Sequence, residues 1–285
     1  MGLAPALAAG NTVVVKPPEV NALSLLRLGE LAQQAGLPDG CLNVVTGYGH
    51  EAGDALVAHP LVRKVWFTGG PDSARFVAAR AAEHLKPLVL ELGGKSANIF
   101  FDDVRVDDVL NGVIAGIFAA AGQTCVAGSR LLVHERIADE LVEKVAERAR
   151  TIRLGDPVSE DTDMGPMSQE KILAGVSARV GEAVAEGASL VYGGDEADRP
   201  DHGWFYAPTV LDHVTNDMSV ARNELFGPVL SVIRVSDEDE AVAIANDSPF
   251  ALAAGVWTRD LGRAHRVASK VRAGTSAAGS RSSCR

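Results

Sequence analysis

Short apolar runs alternate with helical stripes from Thr12 to Glu91, and each run ends at a turn. Thr12-Val13-Val14-Val15 is β-branched and reads as a fully buried strand. Lys16-Pro17-Pro18-Glu19 ends it, because proline cannot supply a ladder donor. Residues 22–35 read as a helix with Leu25, Leu26, Leu28 and Leu31 mostly on one side, stopped by Gly36. A strand over 42–46 leads into Gly47-Tyr48-Gly49 and a short helix to about Ala58. Val65-Trp66-Phe67 turns at Thr68-Gly69-Gly70 into a helix over 72–84, and 89–91 is the fourth strand. Strands and helices in this alternation predict βαβ units and a parallel sheet, hence an α/β fold. Ligands of such sheets lie beyond the carboxyl ends of the strands, where Lys16, Glu19, Thr68 and Glu91 fall.

The second half is more mixed. Residues 107–121 form a helix with a buried stripe of Leu110, Val113, Ile114, Ile117 and Phe118. Further helices are predicted over 137–152, 169–186, 238–246 and 263–271, with strands near Leu190 and over 229–235 and 252–258. The pairs Asp102-Asp103 and Asp107-Asp108 read as capping or solvating a helix start. From Ser276 the chain turns small and polar without periodicity, which predicts a disordered tail over 276–285.

Chemistry concentrates in Leu88-Val89-Leu90-Glu91-Leu92-Gly93-Gly94-Lys95 and in Gly122-Gln123-Thr124-Cys125. The first stretch reads as a buried strand that delivers a carboxylate to a sharp turn. The chain is then expected to pass through an amphipathic helix to a thiol in a small-residue loop. Across a cleft, Cys125 would be a nucleophile that forms a thioester and Glu91 a base that activates the hydrolysing water. A lone cysteine reads equally well as a small buried apolar residue, the role assigned to Cys41. Glu91 reads alternatively as a structural carboxylate capping the glycine turn. Lys-Pro-Pro-Glu taken alone reads as a solvated turn, and Gly47, Gly49 and Gly53 lack dinucleotide-fingerprint spacing.

These two stretches resemble the L-E-L-G-G-K and G-Q-x-C signatures of the aldehyde dehydrogenase superfamily. Phe67-Thr68-Gly69-Gly70 is similar to its F-T-G-S turn, with Gly70 where serine is usual and Ala74 where a later glycine often sits. Glu224-Leu225-Phe226-Gly227-Pro228 is similar to its E-x-F-G-P motif. The resemblance implies a partial, Rossmann-like dinucleotide-binding domain over 1–92 and a catalytic thiol domain over 93–275. It implies oxidation of a small-molecule aldehyde through a Cys125 thiohemiacetal and thioester, with Glu91 as the base. It implies NAD as cofactor, with Lys16 and Glu19 at the adenosine ribose and Thr68, Gly69, Gly70 and Leu92 among the further contacts. Glu224 would hold the nicotinamide ribose and Phe226 pack by the ring. A carboxylate at Glu19 would repel a 2′-phosphate, which favours NAD over NADP. Family members extend beyond Met1 with a first βα unit, including an oxyanion-binding asparagine, and with strands that pair subunits. The sequence therefore predicts a fragment of that fold whose homo-oligomer contacts are weakened. The alternatives are an inactive fragment, unfolded alone or associating with a homologue, and a cofactor-free cysteine esterase.

The totals narrow the classes. A formal charge of −10 over 285 residues, without a basic stripe, argues against a nucleic-acid partner. Three cysteines without pairing or ligand spacing fit a reducing cytoplasm, and seven dispersed histidines imply no metal site. The apolar start to Ala9 has no preceding Lys or Arg and is short for a signal peptide, and no stretch reaches membrane-spanning length. It reads as a broken-off helix.

Overall fold

The alternation of the first stretch is realised as two parallel strand pairs. The computed structural model describes residues 2–195 and 197–279. The chain divides into two compact units, Met1–Leu92 and Gly93–Arg285.

In the first unit, α1 (Leu3–Ala8) precedes β1 (Val13–Val15), α2 (Leu23–Gln34) and β2 (Leu42–Val44). A π-turn over Gly49–Gly53 leads into α3 (Asp54–Ala58), then β3 (Val65–Thr68), α4 (Pro71–Ala82) and β4 (Leu88–Glu91). β1 pairs with β2, and β3 with β4, both in parallel, and the two pairs form separate sheets. Buried strands were expected here, and the structure corrects that. Val14 is 41% exposed, Leu90 is exposed, and α2 buries none of its residues fully. The leucine stripe exists in the sequence, but among the described residues little packs over it.

The second unit holds the core. A seven-stranded sheet runs in the order β11-β10-β5-β6-β9-β8-β7, where β5 is Ala97–Phe100, β6 Arg130–His134, β7 Ser189–Gly194, β8 Ala207–Asp212, β9 Val229–Val235, β10 Ala253–Trp257 and β11 Thr275–Gly279. Every neighbouring pair is parallel except β7 with β8. β5 and β6 escape the alternation rule because both are buried on every residue, so neither shows a period of two. β5 lies where the chain was expected to pass directly into a helix. The predicted tail is also corrected: Ser276 to Gly279 pair with β10, whereas 280–285 lie outside the described residues. A strand pairing at a sheet edge is held by backbone hydrogen bonds and leaves no side-chain period to read.

Five helices pack around this sheet with a short turn of helix, α8 (Ser219–Arg222): α5 (Val106–Phe118), α6 (Glu135–Arg150), α7 (Glu170–Ala185), α9 (Glu238–Asn246) and α10 (Leu261–Lys270). α6 buries Leu141, Val142, Val145 and Ala149, the stripe its sequence shows. Asp237 and Asp260 cap α9 and α10 by accepting from the Glu240 N–H and from the Gly262 and Arg263 N–H groups. Asp107 and Asp108 sit in the first turn of α5, where its dipole favours anions. Asp102 and Asp103 do not cap that helix. Asp103 accepts from Thr258 Oγ1 and from the Arg259 and Asp260 N–H groups, and Asp102 pairs with Arg136 at 2.8 Å. Among the described residues no helix is long and apolar enough to cross a membrane.

Core burial makes a direct stability test. Leu132, on β6, is fully buried, so Leu132→Ala is expected to cost about 2–5 kcal/mol. Leu28→Ala, at a side chain 40% exposed, is expected to cost less than about 1 kcal/mol. Urea midpoints of the two variants check the contrast.

Candidate active site

Three glycines bring the thiol loop and the Glu224 turn together in the second unit. Gly93 and Gly94 lead into β5. A Cβ on Gly93 would lie 2.0 Å from Glu224 Oε2, and one on Gly94 would lie 2.5 Å from the Cys125 carbonyl oxygen. The Gly94 N–H donates to Glu224 Oε1 at 3.2 Å. A Cβ on Gly122 would meet the Gly227 carbonyl oxygen at 2.1 Å. The glycines are therefore contact surfaces: backbone and carboxylate fill the space that side chains would need.

The route to Cys125 is strained. The helix expected to reach Ala121 stops at Phe118, and Ala120 (φ 51°), Ala121 (φ 54°) and Gly122 (φ 69°) run consecutively left-handed. Each alanine there costs roughly 1–3 kcal/mol and persists only where its surroundings over-determine it. The restraints are visible. Ala121 is buried, Gln123 Oε1 accepts from the Ser168 N–H at 2.9 Å, and the Gly128 N–H donates to the Gly116 carbonyl at 2.9 Å. Cys125 itself is a free, half-buried thiol. Phe226, beside Gly227, is also left-handed (φ 57°) and exposed. A small cleft between these turns is lined by Gly94, Lys95, Gly122, Thr124, Glu224 and Phe226. Partial burial raises the Glu224 carboxyl above its ordinary range, against the Gly94 N–H and the positive charge of Lys95.

In the first unit, Lys16 and Glu19 converge on the Gly47–Gly49 turn. Their ion pair spans 3.3 Å, Lys16 Nζ donates to the Pro17 and Gly47 carbonyls, and the Gly49 N–H donates to Glu19 Oε1 at 2.7 Å. Glu19's own backbone N–H, then those of Gly49 and the Lys16 ammonium, hold its carboxyl below the usual range against slight burial. The glycines without fingerprint spacing thus shape this turn. Thr68 lies in register with Glu91 across β3 and β4, and the Gly69 N–H donates to the Glu91 carbonyl at 3.1 Å. Gly70 caps α4, with Pro71 at the first helical position. A Cβ there would meet nothing within 4 Å, so the serine usual in the resembled motif would fit. Glu91 is half-buried at the end of β4, and Leu92 closes the unit.

Within the first unit, Lys16 and Glu19 offer a cation and an acceptor that suit a vicinal diol, and the α4 N-terminus offers backbone N–H groups that suit a phosphate. Within the second, the Glu224 carboxylate is an acceptor of the same kind. Among the described residues no cluster of three or more His, Cys, Asp or Glu could hold a metal ion. Sequence reasoning gave no role to Lys95 or Arg130, both almost fully buried, or to the Gln123–Ser168 contact. The signal for the first two was a charge opening an apolar run, Lys95 before Ile99-Phe100-Phe101 and Arg130 before Leu131-Leu132-Val133.

A mostly parallel α/β scaffold that presents a thiol from a strained loop beside a carboxylate turn defines the class. The aldehyde dehydrogenase family matches residues 1–283. The betaine aldehyde dehydrogenase of Brucella anthropi is 46% identical over 274 residues, covering 95% of this chain and 56% of that protein. The solved betaine aldehyde dehydrogenase of Staphylococcus aureus in complex with NAD+ superposes with a TM-score of 0.92 at 38% identity, covering 97% of this chain and 55% of that one. HpcC from Thermus thermophilus gives a TM-score of 0.93 at 43% identity, covering 100% of this chain and 56% of that one. The chain belongs to the aldehyde dehydrogenase family, and it spans about half the length of the curated relatives it matches.

The glycine contacts predict opposite outcomes at two positions. Gly93→Ala forces a Cβ onto Glu224 and is expected to destabilise by about 1–3 kcal/mol. Gly70→Ser enters open space and is expected to stay within about 0.5 kcal/mol of the parent. Thermal melts followed by circular dichroism compare them.

Proposed function

We propose that the chain carries the machinery for NAD-dependent oxidation of an aldehyde to a carboxylic acid. The observation that carries this reading is the Gly93-Gly94 turn, which touches the Cys125 backbone and the Glu224 carboxylate within one unit. Cys125 Sγ, as the thiolate, attacks the aldehyde carbon and forms the thiohemiacetal. NAD, when bound, supplies the hydride acceptor that takes this carbon to the thioester level. Glu91 takes a proton from water, whose oxygen attacks the thioester carbonyl, and the acid leaves as Cys125 regains its thiolate. Lys16, Glu19, the Thr68-Gly69-Gly70 turn and Leu92 would be the first unit's contacts to the dinucleotide, and Glu224 and Phe226 the second unit's. The Glu19 carboxylate disfavours a 2′-phosphate, so NAD is preferred to NADP. The relatives named for betaine aldehyde make a small, polar aldehyde the first substrate to try.

A second reading is a catalytically inactive chain that associates with a homologue. The exposure of Val14, Leu28 and Trp66 in the first unit favours it. Turnover by the isolated chain at rates typical of enzymes removes it.

Cys125→Ala is expected to lower aldehyde-dependent NADH formation by at least about a thousandfold. Glu91→Gln is expected to leave thioester formation and slow its hydrolysis by roughly a hundredfold or more, so that acyl-enzyme accumulates in a burst. NADH absorbance under single and multiple turnover checks both. Aldehyde-dependent NADH formation that survives Cys125→Ala sinks the mechanism.

A further inference from the structure

Lys95 follows the glycine turn directly and is 2% exposed. Its Nζ has no hydrogen-bond partner among the described residues, a costly state for a buried amine. Its backbone carbonyl accepts from Arg130 Nε at 2.9 Å, which fixes the backbone from which the side chain projects. The side chain lines the same cleft as Glu224, Thr124 and Phe226, with room for roughly one water. The charged groups around it come from three elements. Arg130 of β6 repels it, Arg272 between α10 and β11 lines a second cavity with Lys95 and Arg130, and Glu224 attracts it from the turn before β9. Arg222 and Asp247 act on Arg130 with opposite signs.

We propose that Lys95 is the positioning residue for Glu224: its buried ammonium is the counter-charge that keeps that carboxylate ionised and turned onto the Gly94 N–H, so that the turn's grip on a vicinal diol depends on the charge of Lys95. The diol is the nicotinamide ribose, and to that extent the proposal rests on the function proposed above. Burial, then Arg130, push the Lys95 amine from its ordinary 10.5 down to about 7, while Glu224 pulls it back up. Below about 7 the ammonium supports Glu224; above it the amine is neutral and that support is lost. The linked effect on stability has the opposite sense. The unfolded chain keeps its proton up to 10.5, so folding gains stability as pH rises from about 7 towards 10.5.

The test compares the full chain with Lys95→Met, Glu224→Gln and the double variant between about pH 6 and about pH 9, by thermal melts and by NAD titration calorimetry. NAD affinity of the parent is expected to fall several-fold across this range, and the fall is expected to vanish in Lys95→Met. In the melts, the two substitutions are expected to be non-additive near pH 6 and additive near pH 9. Glu224→Gln alone is expected to move the onset of the alkaline rise in stability to lower pH, a measurement that does not require Lys95→Met to fold. A parent that binds no NAD overturns the proposed function, and the melts then decide the role of Lys95. Additive melts at both pH values, or an unshifted onset in Glu224→Gln, overturn the positioning role.

Discussion

The Arg130 guanidinium is the interaction on which the site's architecture depends. Only 1% exposed, it opens a central strand and donates to four acceptors. Nε reaches the Lys95 carbonyl, Nη1 reaches Asn216 Oδ1 and the Ile244 carbonyl, and Nη2 reaches the Ala245 carbonyl, all at 2.8–3.0 Å. Two of these acceptors belong to the last turn of α9, whose free carbonyls favour a cation. Burial lowers the guanidinium to about 10, which leaves it charged at neutral pH. Asn216 in turn donates to Asp247, and Arg222 pairs with Asp247 at 3.0 Å, so the short helix before Glu224 is tied to the same network. One buried cation therefore fixes the glycine turn and, through two further contacts, the approach to Glu224. Removing one partner of such a group leaves the others desolvated and unpaired, which makes the network all-or-none.

Around that anchor, close backbone approach sets the geometry of the thiol. Gly93, Gly94 and Gly122 each occupy a place where a Cβ would collide with an oxygen. The left-handed run Ala120–Gly122 faces the turn of Phe226 and Gly227, itself left-handed at Phe226. Two strained turns braced on each other resist displacement better than either alone, because relaxing one requires moving the other. Bracing of this kind holds the thiol loop in one geometry, the condition under which a positioned group can act on a reacting centre.

Much of this was legible, unevenly. The alternation from Thr12 to Glu91 located the strands of the first unit within one or two residues, and α6 and α9 were placed within two residues of their observed bounds. Burial was not legible: Val13-Val14-Val15 has the composition of a core strand and is half-exposed here. β5 and β6 were missed for the reverse reason, since a strand buried on both faces carries no alternation. β11 was read as a tail because Ser-Ala-Ala-Gly has no β signature, and its pairing comes from the backbone. At the site, Glu224 was legible only through its motif. The carboxylate's contact with Gly94 spans 130 positions, and no local pattern encodes that. Lys95 stood in plain view inside a quoted motif, and its meaning lay in its burial.

The two units differ in mechanical character. Cys125, Lys95 and Glu224 belong to a unit with a continuous core from Ala97 to Val271. Lys16 and Glu19 follow β1, beside helices α1 and α2 that bury nothing fully, and Thr68 ends β3, beside which α4 buries only Ala74 and Ala81. Local opening costs least where few apolar contacts are buried. Cys125, Lys95 and Glu224 are thus held by the unit with the larger core, and Lys16, Glu19 and Thr68 by elements more able to open. A ligand that engages the first unit would stabilise it by mass action, adding order where the chain itself supplies least.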